Sequence, residues 1–118
     1  MGVWGIIVKQ QILFVQGGGA GAYQADRQLV VSLRSALGTA YELLYPKMRH
    51  ESDPDYQNWK PRMGKELARL ENSVILVGHS LGDSFLLKYL CEEKIEKIIA
   101  GIFLIATPYW DGNGWQYQ

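Results

Sequence analysis

Four short apolar runs divide the chain into alternating predicted strands and helices. The runs are ILFV, YELLY, VILV and IFLIA, at positions 12–15, 41–45, 74–77 and 102–106. Between the runs, apolar residues recur every three or four positions, as on one face of a helix, over 24–37, 56–70 and 81–91. Short apolar strands that alternate with helices are typical of a parallel sheet covered on both faces. The pattern therefore predicts a doubly wound α/β fold with a parallel sheet of about four strands.

A glycine-rich loop, GGGAG at 17–21, ends the first predicted strand. We expect the strand order 2-1-3-4 with right-handed crossovers, which places this loop next to the end of the third strand. At the carboxyl ends of the first and third strands, the connections that follow the two strands go to opposite faces of the sheet. Open α/β sheets bind ligands in the crevice between two such connections. The sequence therefore predicts a binding site between the glycine loop and the third strand.

The segment GHSLG, at 78–82, joins the third predicted strand to the third helix. A G-x-S-x-G sequence at such a junction is typical of a nucleophile elbow, a sharp turn that exposes the serine hydroxyl. This interpretation makes Ser80 a catalytic nucleophile and the Leu81 N–H an oxyanion donor, with Gly18 or Gly19 as the second donor. The alternative is that Ser80 serves only as the N-cap of the helix.

Composition and charge exclude several classes of partner. The 118 residues suffice for a single domain, and 12 basic residues balance 12 acidic ones without clustering, so we expect no binding to nucleic acid or to an anionic membrane. No apolar stretch approaches the length of a membrane span. Cys91 is the single cysteine, and no spacing of metal ligands is present. These features predict a cytoplasmic protein without an intrachain disulfide or a bound metal.

Two non-hydrolase alternatives remain. Gly17, Gly19 and Ala22 match the G-x-G-x-x-A fingerprint of dinucleotide-binding domains. That fold places an acidic residue at the end of the second strand, whereas this strand ends at Tyr45 and Pro46. The other alternative is a non-catalytic interaction module that binds through an exposed sheet edge.

Four segments together resemble the small bacterial α/β-hydrolase-fold proteins related to the retinoblastoma-binding serine hydrolases. They are ILFVQGGGAG, YPKMRHESDPDYQNW, VILVGHSLG and IATPYWDG, and the resemblance runs from about Lys9 to the end. It implies a Ser-His-Asp triad, hydrolysis of small carboxylic esters or amides through an acyl-enzyme, and no metal or organic cofactor. Ser80 matches the nucleophile, and Leu81 with Gly18 or Gly19 matches the oxyanion donors.

The chain departs from that family's pattern after Ser80. The triad order on this fold is serine, acid, histidine, but His50 and His79 both precede Ser80. We expect His79 to pack beside the glycine loop or the sheet edge. His50 lies in the loop after the second strand, at the same edge of the sheet, so its two alternatives are an ordinary surface histidine and the base of Ser80. Asp111 is the candidate acid, and its alternative role is that of a turn residue in DGNG.

The missing base predicts a partial hydrolase domain, truncated before the strands that carry the acid and the base. We expect little or no turnover, because a serine without a base is weakly nucleophilic. The strand at 102–106 would then lack its outer neighbour. An unpaired apolar edge predicts self-association, as a homodimer, a strand exchange or an aggregate.

Overall fold

The computed structural model describes residues 9–71 and 73–106, and in this part of the chain strands alternate with helices. The elements are β1 (Gln10–Val15), α1 (Ala22–Leu37), β2 (Tyr41–Leu44), α2 (Tyr56–Arg69), β3 (Val74–His79), α3 (Leu81–Glu92) and β4 (Ile99–Ile105). A single 3-10 turn, Gly38–Ala40, joins α1 to β2. The predicted α/β alternation is confirmed.

The four strands form one parallel sheet in the order β2-β1-β3-β4. This is the order that the sequence predicted. In the register of β1 with β3, Val15 lies opposite Gly78. The glycine loop after β1 and the turn after β3 therefore leave adjacent strands at the carboxyl edge of the sheet.

Apolar layers cover both faces of the sheet. Alternate residues of β1 point into opposite layers, as the two-residue period of a strand requires. Leu13 and Val15 join the layer beneath α2 and α3, whereas Ile12 and Phe14 join the layer beneath α1. In the first layer Trp59 is completely buried, and its ring meets the ring of Phe85 edge to face at 5.1 Å. The carboxyl end of β1 is thus fixed from both sides.

Helix α1 buries the side that carries its larger apolar residues. Leu29, Leu33 and Leu37 pack against the layer beneath α1, as the helical period predicts, whereas Ala25 and Ala36, which the same period places on that side, are exposed. The fully buried positions are Asp26 and Val30. An alanine side chain gains little from burial, so the larger apolar side chains decide which way the helix turns.

No helix in the described ranges is long and apolar enough to cross a membrane. Among the strands of the described residues, β4 is an outer strand of the sheet, and its Ile102, Phe103 and Leu104 are exposed. The unpaired edge of this apolar strand is the feature from which the sequence predicted self-association through 102–106, as a homodimer, a strand exchange or an aggregate. That assembly stays a prediction.

A lysine substitution on the edge strand β4 tests the predicted self-association. We expect Phe103→Lys to lower any self-association measured by light scattering, because a charged side chain on an edge strand opposes strand pairing. Val31→Lys is the matched control, since Val31 is similarly exposed, at 52% against 58% for Phe103, but lies on α1. A wild-type protein with the mass of a single chain at all concentrations would contradict the prediction.

Candidate functional site

Ser80 occupies the turn between β3 and α3. Its φ of 55° and ψ of −118° form a conformation that side-chain-bearing residues rarely adopt, and such strain costs about 1–3 kcal/mol. Its N–H donates to the carbonyl oxygen of Ile105 at 2.9 Å, and its own carbonyl oxygen accepts from the Asp83 N–H at 3.0 Å. These two hydrogen bonds hold the strained backbone in place.

The Ser80 hydroxyl is not used to cap the helix. Ser80 stands at the N-cap position of α3, but its side chain makes no capping hydrogen bond. The alternative that Ser80 serves only as an N-cap is therefore wrong. Among residues 9–71 and 73–106 the hydroxyl has no other hydrogen-bond partner, and the residue is only half-buried.

The glycines on either side of Ser80 permit close packing. A Cβ on Gly82 would lie 2.3 Å from the carbonyl oxygen of Gln16 and 2.5 Å from that of Val15. A Cβ on Gly78 would lie 2.4 Å from Asp83 Oδ1 and 3.1 Å from its Cα. Only residues without side chains allow the first turn of α3 to lie this close to the ends of β1 and β3. The close approach makes the turn at Ser80 sharp.

The glycine loop presents one backbone N–H beside this turn. The Gly17 N–H donates to Asp26 Oδ2 at 2.8 Å, and the Gly19 N–H donates to the carbonyl oxygen of Glu51 at 2.6 Å. The N–H of Gly18, between them, has no acceptor among the described residues. Of the two predicted donors in this loop, Gly18 is therefore the one whose N–H is available for a ligand.

A second N–H without an acceptor among the described residues belongs to Leu81, whose side chain contacts Gly18. Leu81 is the first residue of α3, so its N–H has no acceptor within the helix. A Cβ on Gly18 would lie 2.6 Å from Leu81 Cδ2, which means that the Leu81 side chain packs directly on Gly18. The structure thus brings Ser80, Leu81 and Gly18 together, and their roles as nucleophile and oxyanion donors stay predictions.

His79 faces α1 and the glycine loop. Its Nδ1 lies 3.0 Å from both carboxylate oxygens of Asp26. An ionised carboxylate only accepts hydrogen bonds, so Nδ1 is the donor in this pair. A Cβ on Gly17 would lie 3.2 Å from the same nitrogen, which confirms that His79 packs beside the glycine loop. No hydrogen bond joins His79 to Ser80 within the described ranges.

Asp26, Gln16 and Glu51 are site residues that the sequence analysis missed. Asp26 precedes Val30 by four positions and Leu33 by seven, so the helical period placed it on the buried face. A carboxylate on such a face requires partners, because an unpaired buried charge is costly. An acidic residue at a position that the helical period buries is therefore the sequence signal that could have identified Asp26 as a site residue.

Gln16 joins the glycine loop to the loop after β2. The side chain is completely buried, and its Oε1 accepts from the Met48 N–H at 2.7 Å. Its Nε2 donates to the Gly17 carbonyl oxygen and to Glu51 Oε1, both at 3.0 Å. A buried amide with these three hydrogen bonds fixes the relative position of the two loops.

Glu51 lies at the N-terminus of α1. Its Oε1 accepts from the Tyr23 N–H at 2.8 Å, in the first turn of the helix. This backbone hydrogen bond, aided by the one from Gln16, lowers the pKa of Glu51 below its ordinary value. The stabilisation is therefore present at neutral pH and is lost as the pH falls through the folded-state pKa. Glu51 supplies the negative charge that the positive end of this helix favours.

The remaining candidates lie away from Ser80 or outside the described residues. His50 is exposed in the loop after β2, and no hydrogen bond joins its ring to Ser80 in the part of the chain that the structure describes. Asp111, the candidate acid, lies outside the described residues. Cys91 is free and exposed. Within 9–71 and 73–106, no three histidine, cysteine or acidic side chains are placed to hold a metal ion.

The packing at Gly82 generates a stability prediction. We expect Gly82→Ala to lower the free energy of unfolding by about 3 kcal/mol, since the methyl group meets two rigid backbone oxygens. Gly101→Ala in β4 is the control, because its Cβ would make an ordinary contact of 3.5 Å with Phe103, and it should change stability by less than about 0.5 kcal/mol. Equal losses in the two variants, measured by denaturant unfolding, would refute this account of the packing.

The strain at Ser80 generates a second stability prediction. We expect Ser80→Gly to raise the free energy of unfolding by about 1 kcal/mol, because glycine adopts a positive φ without steric cost. The same substitution at Ser84, within α3, should lower it by about 0.5 kcal/mol. Calorimetry or urea unfolding measures both. A Ser80→Gly variant less stable than wild type would argue against strain at this position.

Comparisons with known proteins agree with the fold and identify the family. The crystal structure of the ydeN gene product from B. subtilis is similar in fold, with a TM-score of 0.58 over 82% of this chain and 50% of that one. The chain spans about half the length of that structure, and at 18% identity the likeness shows the fold alone. A search among curated proteins found no match. The relation to the retinoblastoma-binding hydrolases stays a prediction. The family described as serine hydrolase matches residues 33–115, well over half of the sequence, and the chain therefore belongs to the serine hydrolase family.

Proposed function

We propose that the protein is a serine hydrolase of small carboxylic esters or amides, in which Ser80 lies on a nucleophile elbow and forms the acyl-enzyme. The observation that carries the proposal is the combination at one sheet edge of a strained serine with two N–H groups that have no acceptor among the described residues. Ser80 has a φ of 55° and its hydroxyl makes no cap, while Leu81, the next residue, packs its side chain on Gly18; the N–H groups of Leu81 and Gly18 are the two without an acceptor. Membership of the serine hydrolase family supports the same chemistry.

In this mechanism Ser80 Oγ attacks the carbonyl carbon of the substrate. Negative charge then develops on the carbonyl oxygen, which accepts hydrogen bonds from Leu81 and Gly18. Donors that are already in place avoid reorganisation during the reaction, and one such donor contributes about 10²–10³ in rate. Collapse of the intermediate releases the alcohol or amine, and water then cleaves the acyl-Ser80 ester. We assign the second donor to Gly18 because the Gly19 N–H is held by Glu51.

The proton of Ser80 has no assigned acceptor in this chain. His79 donates its Nδ1 hydrogen to Asp26 and makes no hydrogen bond to Ser80 within the described ranges, and His50 is exposed on another loop. These are the two histidines of the sequence. A serine without a general base is weakly nucleophilic at neutral pH. The proposal therefore includes little or no ester turnover by the 118-residue chain itself.

The dinucleotide-binding alternative is disfavoured by Glu51. Such domains bind a pyrophosphate at the N-terminus of the first helix, where backbone N–H groups favour an anion. Here the Glu51 carboxylate already accepts from the Tyr23 N–H in that first turn. Glu42, the acidic residue of β2, lies at the second position of the strand and accepts a hydrogen bond from Gln11 at 2.9 Å. Neither carboxylate is placed to hold a ribose at the carboxyl edge.

A fluorophosphonate probe tests the nucleophile. Ser80 Oγ forms a bond to phosphorus, fluoride leaves, and the hydroxyl proton passes to the buffer. We expect slow, stoichiometric labelling that maps to Ser80 by mass spectrometry and disappears in Ser80→Ala. Ser84→Ala, one helical turn later in α3, is the control and should label as wild type.

Labelling that persists in Ser80→Ala would contradict the assignment. Rapid hydrolysis of an activated ester, lost in Ser80→Ala, would instead retain Ser80 as the nucleophile and contradict the expected low turnover. Thermal stabilisation by a dinucleotide without any labelling would favour the dinucleotide-binding alternative, and neither response would favour the interaction module.

A further inference from the structure

We infer that Asp26 and His79 are positioning residues that hold the Gly18 N–H in place for the oxyanion. The inference rests on the proposed function, because it concerns the donor that the proposal assigns to Gly18. Neither side chain is expected to exchange a proton with the substrate. Their effect on the reaction passes through the backbone of the glycine loop.

The Asp26 carboxylate joins three parts of the molecule. It projects from α1, accepts the Gly17 N–H of the glycine loop at 2.8 Å, and accepts from His79 Nδ1 at the end of β3 at 3.0 Å. The Asp26 side chain is 8% exposed and that of His79 is 29% exposed. Hydrogen bonds to a charged acceptor in such a sheltered place are stronger than those at a surface. We call this arrangement the Asp26 clamp.

The clamp fixes the residue before the proposed donor. The Gly17 N–H donates to the Asp26 carboxylate, and the Gly17 carbonyl oxygen accepts from Gln16 Nε2. Gly19, on the other side, is held by the carbonyl oxygen of Glu51. With both neighbours fixed, the peptide plane that carries the Gly18 N–H has little freedom to rotate. Glycine has the largest intrinsic backbone freedom, so this restraint is needed here more than elsewhere.

The clamp also joins the two donors to the nucleophile. His79 directly precedes Ser80, so the Asp26 clamp connects the strand that carries the nucleophile to the loop that carries Gly18. Leu81, which directly follows Ser80 and carries the other donor, packs its side chain on Gly18. A shift of about 1 Å in such an arrangement costs up to about 10²-fold in rate. Loss of the carboxylate should therefore slow the reaction without removing any group that touches the substrate.

The decisive measurement is the phosphonylation of Ser80 in the full chain, resolved into the maximal rate constant and the apparent dissociation constant of the probe. We expect Asp26→Ala to lower the maximal rate constant at least 10-fold and to leave the dissociation constant within twofold. Asp26→Asn retains an amide oxygen that accepts the Gly17 N–H, so it should recover part of the rate. His79→Gln should lie between wild type and Asp26→Ala.

Glu66→Ala is the matched control for a general loss of stability. Glu66 is also a buried carboxylate, paired with Arg62 at 3.0 Å, but it lies on α2. We expect this variant to lower the melting temperature while the rate constant stays within twofold of wild type. If Asp26→Ala does not fold, Asp26→Asn and His79→Gln carry the test, each with a loss of at least threefold.

Amide hydrogen exchange, measured by NMR without any probe, distinguishes failure of the positioning role from failure of the proposed function. We expect the Gly17 amide to exchange at least 10-fold faster in Asp26→Ala, and at a rate between those of wild type and Asp26→Ala in Asp26→Asn, which keeps an acceptor for the Gly17 N–H. Wild type that labels at Ser80, with an unchanged rate constant in the folded Asp26 and His79 variants, overturns the positioning role alone. Wild type that does not label overturns the proposed function and the role that rests on it, even where the Gly17 amide responds as expected.

Discussion

The site depends on how closely the first turn of α3 approaches the ends of β1 and β3. Gly82 lies against the carbonyl oxygens of Val15 and Gln16, and Gly78 lies against Asp83. With no room for a longer connection, a single residue must turn the chain from strand to helix, and Ser80 does so at a φ of 55°. The hydrophobic layers on both faces of β1 stabilise this arrangement and offset the local strain.

Buried polar groups fix the loops at the same edge, together with the apolar packing of Met48 in the loop after β2. Gln16 and Asp26 bind backbone groups of the glycine loop, and Glu51 binds the backbone of the first turn of α1. Such groups are costly to bury unless every partner is present, and the partners come from distant parts of the sequence. The network leaves the Gly18 N–H available while it uses those of Gly17 and Gly19. Under the proposed function, the choice of Gly18 as the donor among three adjacent glycines is thus a consequence of the surrounding carboxylates and carbonyls.

The sequence was sufficient for the fold and for the parts of the site that are local in the chain. Apolar runs and helical periods predicted the strands and the turn at Ser80, because each follows from contiguous residues, whereas the order 2-1-3-4 followed from the general rules of doubly wound sheets. The cap of α2 is local in the same way: Asp55 directly precedes the helix, and its side chain accepts from the Gln57 N–H at 2.9 Å. Asp26 was not found, because its partners Gly17 and His79 are brought together only by the folded sheet. The preference for Gly18 over Gly19 depends on Glu51, which lies 32 positions after Gly19, and no local pattern reveals that contact.

The most direct test of the central claim is a crystal structure of the phosphonylated protein. The phosphonyl oxygen on Ser80 marks the position that the oxyanion takes during acyl transfer. The account predicts that this oxygen lies about 2.7–3.1 Å from the N–H groups of both Leu81 and Gly18, with the Gly17 N–H still bound to Asp26. An oxygen that points to solvent, or that binds neither N–H group, would contradict it.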